Sequence, residues 1–179
     1  MGKLQISKLD AVKRQLEVAV KLFFFDGDPV SLHTLVAAAY NLLRDVNRHL
    51  KGEPLFVKEA ALDRIRPEKR DEFYAMVNEA ENFFKHADRD PGETLLFHTA
   101  QTKVLLWDAC RAYRLLTEEI TPTFQAFEWW IFLEKPEMFD TPAEFTGTIQ
   151  TLKEATAGLS KREFYFVSYE AAVKNSTPA

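Results

Sequence analysis

The tetrapeptide Asp26-Gly27-Asp28-Pro29 is the feature that most constrains this chain. Ahead of it, Ser7 with Asp10 three residues later reads as a helix-capping box, and Leu9, Val12, Leu16, Ala19, Val20 and Phe23 follow at helical spacing. Behind it, Leu32, Leu35, Val36, Ala39, Leu42, Leu43, Val46 and Leu50 form one broad apolar stripe ending near Gly52. The four residues between supply a glycine stop, an aspartate N-cap and a proline at the first helical position. So short a link predicts two antiparallel helices, and the run Ala37, Ala38, Ala39 lets a neighbour approach the second one closely.

From Glu53 to Arg66 the periodicity weakens, with Pro54, an apolar run Leu55 to Val57, and a short helix expected from Lys58 to Ile65. Arg66-Pro67-Glu68 opens a third helix whose buried side is predicted to carry Phe73, Met76, Val77, Ala80, Phe83, Phe84 and Ala87. After the turn Asp88 to Gly92, residues Glu93 to His98 read as briefly extended. Thr99 is placed to cap a fourth helix carrying Leu105, Leu106, Ala109, Cys110, Tyr113 and Leu116. Thr121-Pro122 starts a fifth helix that is apolar nearly all round from Phe124 to Leu133, which suits a deeply buried element or a dimer interface. A capping box at Thr141-Pro142-Ala143-Glu144 and another at Ser160 with Glu163 introduce a sixth and a seventh helix. The expected fold is a single all-α domain over residues 1–179, a bundle of two antiparallel helical hairpins with C-terminal helices packed against them.

Net charge is −4, with 23 basic against 27 acidic residues, so nothing global draws the chain onto a polyanion, and no DNA partner is expected. RNA binding would need a local patch, and Arg64, Arg66, Lys69 and Arg70 make the one basic cluster. The apolar runs fall short of the roughly 20 residues of a membrane helix and the N-terminus lacks a signal-peptide layout, so a cytoplasmic location and no membrane partner are expected. The single cysteine, Cys110, has no CxxC partner and reads as a buried bystander. There is no HExxH or Glu-x-x-His, and Asp88-x-Asp90-x-Gly92 lacks the later glutamate of a calcium loop, so neither a metal nor a cofactor is expected.

Chemistry concentrates in Asn82 to Pro91, where two aromatics, an imidazole, two cations and two carboxylates precede a proline. Asn82 and His86 lie four apart and share a face with Glu79. A histidine there can move protons near neutral pH, with Lys85 or Arg89 beside it to neutralise an anion. The plainer reading has Asn82 and His86 satisfying backbone groups at the helix end, with Asp88 and Asp90 in an Asx-type turn.

A second group, Arg44-Asp45-Val46-Asn47-Arg48-His49, closes helix two. Arginine, a polar residue, and histidine five positions after the arginine resemble the signature of the HEPN superfamily, whose members are all-α and commonly dimerise. That resemblance implies a metal-independent endoribonuclease site in which histidine assists proton transfer at the ribose hydroxyl and arginine stabilises the phosphate. By position, Arg44 and His49 match the motif ends and Asp45 its polar slot. Asn82 and His86 offer a second copy on a later helix, with Glu81 in the arginine's position. The chain is also similar, over about Val12 to Phe97, to a group of uncharacterised bacterial all-α proteins that share a segment like His33-Thr34-Leu35 with Ala38, Ala39, Tyr40, and the Asn82 to Pro91 stretch. This resemblance implies that His33, Tyr40, Arg44, Asp45, Asn82, His86, Asp88 and Asp90 gather in one place.

Two functional expectations follow. One is a HEPN-like protein, homodimeric, that binds or cleaves RNA or a nucleotide, with His86 or His49 as proton carrier, Arg44 on the phosphate, and His33, Tyr40, Asp45, Asn82 and Asp88 around the substrate. The other is a non-enzymatic helical module that binds a protein partner or small molecule between helices two and three.

Overall fold

The computed structural model describes residues 2–88, 91–139 and 146–176. Ser7 caps α1 (Lys8–Phe24) as expected: its hydroxyl accepts from the Asp10 N–H at 3.0 Å, and Asp10 accepts from the Ser7 N–H at 3.2 Å. Asp28 accepts from the Ser31 N–H at 2.7 Å, and Pro29 opens α2 (Pro29–His49). The turn between them departs from expectation in one respect. Asp26 takes the left-handed backbone, with φ 49°, and Gly27 does not. Gly27 is favoured by close approach instead. Its N–H reaches Leu22 O at 2.8 Å, and a Cβ would lie 2.5 Å from Leu22 Cδ2 and 3.2 Å from Leu22 Cα.

Five more α-helices are described: α3 (Arg70–Lys85), α4 (Ala100–Thr117), α5 (Pro122–Glu134), α6 (Thr146–Ala155) and α7 (Lys161–Ser176). The described residues contain no strand, so the fold class is all-α, and Glu93 to His98 is irregular. Short 3₁₀ turns at Ala60–Arg64 and Pro67–Lys69 fill the weakly patterned connection. Thr99 makes no side-chain cap, contrary to expectation. The box at Thr141-Pro142-Ala143-Glu144 lies outside the described residues, as do Arg89 and Asp90.

The helices gather in two compact units, Met1–Glu119 and Ile120–Ala179. In the first, α2 is the common neighbour: α1, α3 and α4 all pack on it, and α1 also meets α4. Val12, Leu16, Val20 and Phe24 of α1, Val36, Ala37, Tyr40 and Leu43 of α2, and Leu106, Ala109 and Cys110 of α4 are fully buried together. In the second unit α5 packs on α7. Phe124, Ala126, Phe127 and Ile131 are buried, and Trp130 stands edge-on to Phe164 with ring centroids 5.1 Å apart. Ser160 and Glu163 form the expected box at the start of α7, which holds Phe164 to Val167 helical despite their β propensity.

Attachment of α3 to the bundle differs from the expected stripe. Only Ala80 and Glu81 are buried on it, Phe83 and Phe84 are half-buried, and Met76 and Ala87 are exposed. Among the α-helices, α2 is its principal neighbour, so one narrow edge of α3 meets the protein and the apolar lane through Met76 faces outward.

Candidate functional site

The irregular stretch after α2 carries a lysine into the interior. Lys58 is 2% exposed, and its Nζ donates to Glu81 Oε2 at 2.7 Å and to Asn41 Oδ1 at 3.1 Å. Glu81 is nearly as buried, and its other oxygen accepts from Lys85 Nζ at 2.6 Å and from the Asn41 amide. Burial pushes the Lys58 ammonium below its ordinary value, against the raising effect of its bond to Glu81. Burial also pushes the Glu81 carboxyl up, but the hydrogen bonds from Lys58 and Lys85 outweigh it and hold the group below the usual carboxylate value. The residue standing where the HEPN-like pattern wants an arginine is therefore the hub of a buried ion-pair cluster.

Tyr40 belongs to a second buried cluster. Its hydroxyl donates to Asp108 Oδ2 at 2.6 Å and accepts from the Lys58 N–H at 3.2 Å. Asp108, fully buried, also accepts from the Val57 N–H at 2.9 Å and from Arg111 at 2.8 Å. Burial, with the Asp108 carboxylate alongside, pushes the Tyr40 phenol far above its ordinary value. Tyr40 thus holds the Val57–Lys58 backbone against α2 and α4, and faces no ligand space.

Arg44 stands over the α2–α3 seam. Its Nη1 donates to Tyr74 Oη at 3.2 Å, while its buried Nε makes no hydrogen bond among the described residues, its ion pair being Asp45 Oδ1 at 3.7 Å. Here Asn41, Arg44, Tyr74, Asn78, Glu81 and Asn82 line a hollow of about 280 Å³. The charged residues that line it are Arg44 and Glu81, and Lys58 and Lys85 both pair with Glu81.

His86, Asn82 and Asp88 line a different space, an open cleft of about 940 Å³ walled by α3 and the segment Glu93–Leu95. The two spaces adjoin through Ala75 and Asn82. His86 ends α3 with its N–H on Asn82 O at 3.0 Å, and its ring is exposed.

The expected gathering is therefore partial. Asn82, His86 and Asp88 come together, and Arg44 sits next door with Asn82 common to both. His49 is exposed at the end of α2, about 140° round the helix from Arg44, as a five-residue separation dictates. Asp45 is exposed beside Arg44. His33 is 1% exposed, with Nδ1 2.9 Å from Thr102 Oγ1 and its ring edge-on to Phe84 and Phe97. Burial pushes its imidazole below the ordinary value. Lys58, Asn41 and Asp108 were not singled out from sequence. A lysine after a run as apolar as Leu55 to Val57 was the one available signal for Lys58.

Comparisons with protein-family models, curated proteins and solved structures gave no match to this chain.

Proposed function

We propose that the protein is a helical binding module that takes an anionic small molecule in the hollow between α2 and α3, with Arg44 as the anion ligand. The observation that carries this reading is the Arg44 guanidinium lining one hollow with the amides of Asn41, Asn78 and Asn82, its Nε making no hydrogen bond among the described residues. A guanidinium edge in that condition suits a phosphate or carboxylate, which accepts two parallel hydrogen bonds from it. With Glu81 already held by Lys58 and Lys85, Arg44 is the lining charge left to a ligand, which favours the same class. A nucleotide phosphate is the ligand that agrees with the role a HEPN-like motif gives Arg44.

Binding without cleavage is the form of this reading that the geometry favours. RNA cleavage needs a proton carrier within hydrogen-bond reach of the Arg44-bound phosphate. His86 opens on the neighbouring cleft, and His49 lies well round the helix.

Titration calorimetry with AMP and with inorganic phosphate, on the wild type and on Arg44→Gln, tests the proposal. A charge-assisted hydrogen bond contributes about 1.5–3 kcal/mol, so Arg44→Gln is expected to bind about 10- to 100-fold more weakly. Equal binding by the variant, or no binding by the wild type, rejects Arg44 as the anion ligand. In parallel, mixed RNA is incubated in EDTA with wild type, His49→Ala and His86→Ala. Cleavage by the wild type that either variant loses would restore the nuclease reading.

A further inference from the structure

The larger cleft has a character opposite to that of the Arg44 hollow. Its apolar surface comes from Met76 and Phe83 on α3 and Leu95 opposite, and its rim carries Glu79, Asp88 and Glu93. No lysine or arginine lies among its described lining residues, and Glu79 and Glu93 make no ion pair among the described residues. Met76, Glu79, Phe83 and His86 follow one another along a single lane of α3, the side turned away from α2, and Met76 is 56% exposed. Met76, Phe83 and Leu95 thus bring apolar side chains into one concave space with Glu79 and Glu93 at its rim.

We propose that this cleft docks a short basic, amphipathic segment of a partner protein, with apolar side chains on Met76, Phe83 and Leu95 and flanking lysine or arginine on Glu79 and Glu93. Charge fixes the class of occupant. A nucleic acid would bring its phosphates against Glu79 and Glu93. A metal ion would lack its ligands, because no group of three or more His, Cys, Asp or Glu among the described residues is placed to hold one. The dimensions suit a peptide: from position 76 to 86 the lane is about 15 Å long at 1.5 Å per residue, the reach of roughly four or five extended residues. This site adjoins the Arg44 hollow through Ala75 and Asn82 but takes the opposite charge.

The probe is a fluorescein-labelled hexapeptide alternating leucine and lysine, with a leucine–glutamate hexapeptide as its counterpart, followed by fluorescence anisotropy at physiological salt. The lysine peptide is expected to bind and the glutamate peptide not to. Glu79→Lys/Glu93→Lys is expected to weaken binding at least about tenfold, and Met76→Asp to do the same. Glu68→Lys/Glu170→Lys makes an identical charge change at exposed positions outside the cleft and is expected to leave binding unchanged. Circular dichroism checks that each variant is folded. Loss of binding in the Glu68/Glu170 variant equal to that in the Glu79/Glu93 variant would reduce the effect to general charge attraction and overturn the proposal. Unchanged binding in the Glu79/Glu93 variant, or no binding of the lysine peptide to the wild type, would overturn it as well.

Discussion

Glu81→Gln isolates the interaction that holds α3 to the rest of its unit. The substitution keeps the side chain's shape but removes the charge that Lys58 faces at 2.7 Å, leaving a buried ammonium with Asn41 Oδ1 at 3.1 Å as its other acceptor. Removing one partner of a buried ion pair costs about 3–5 kcal/mol. Lys58 can reduce that cost by releasing its proton, since burial already depresses its pKa, which points to the lower end of the range. Lys58→Met is the milder change, about 2 kcal/mol, because Glu81 keeps the partly exposed Lys85 and Asn41. The double variant Lys58→Met/Glu81→Leu replaces the pair by apolar groups and is expected within about 1 kcal/mol of wild type. At roughly 2.1 cal/mol/K of unfolding entropy per residue, a unit spanning Met1–Glu119 loses about 4 °C in Tm per kcal/mol, so Glu81→Gln should melt about 12 °C lower or more. Urea unfolding at neutral pH followed by far-UV circular dichroism gives the free energies. The acid limb supplies a second check. Glu81 titrates below its ordinary value of 4.5, so its contribution is present above that pH and is lost as pH falls through the lower folded value. The gap between wild type and Glu81→Gln should therefore close in acid. A Glu81→Gln variant within about 1 kcal/mol of wild type, or a double variant as unstable as the two single changes summed, would refute the argument.

Two further outcomes follow from the buried groups. His33 is neutral in the fold because burial lowers its pKa, with Glu81 opposing and Lys58 and Lys85 adding to the shift, whereas the unfolded chain takes up that proton near 6.5. Stability should fall as pH drops below about 6.5, and His33→Leu should flatten that fall in urea midpoints measured at a series of pH values. An equal slope in both proteins counts against it. Tyr40→Phe removes the donor to Asp108 and the acceptor of the Lys58 N–H, while Asp108 keeps Val57 and Arg111. The expected cost is about 2 kcal/mol by urea unfolding, and a change below about 0.5 kcal/mol would show that water takes over both bonds.

The helices were legible because their signals are local. Ser7 with Asp10, Asp28 with Pro29, Thr121 with Pro122, and Ser160 with Glu163 each act within four residues, and each opens a helix where it was expected. Thr99 failed because its hydroxyl forms no cap and α4 begins without one. For α3 the sequence carries a true periodicity but no information on how much of the stripe is covered, so the pattern alone makes no distinction between Met76 and Ala87, which are exposed, and Ala80, which is buried. The chemistry was harder to see because its partners are far apart in the chain. Glu81 meets Lys58 and Asn41, and Asp108 meets Tyr40 and Val57, across separations that no local pattern encodes. A glutamate in the arginine's slot looked like a missing residue, whereas in space it is the acceptor for three side chains.

Both proposed binding surfaces are built on α3, and within the unit Met1–Glu119 α3 is the α-helix with the fewest buried apolar side chains, Ala80 being the one that is fully buried. Elements with few buried apolar contacts occupy the low end of a protein's local-opening free energies. Beside Phe84 against His33 and Phe97, what keeps α3 seated is polar: Glu81 clasped by Lys58 and Asn41, and Tyr74 under Arg44. Such a helix behaves as a latch more than as a beam. An anion seated on Arg44 would tighten it by mass action, since it binds the seated form and not the lifted one.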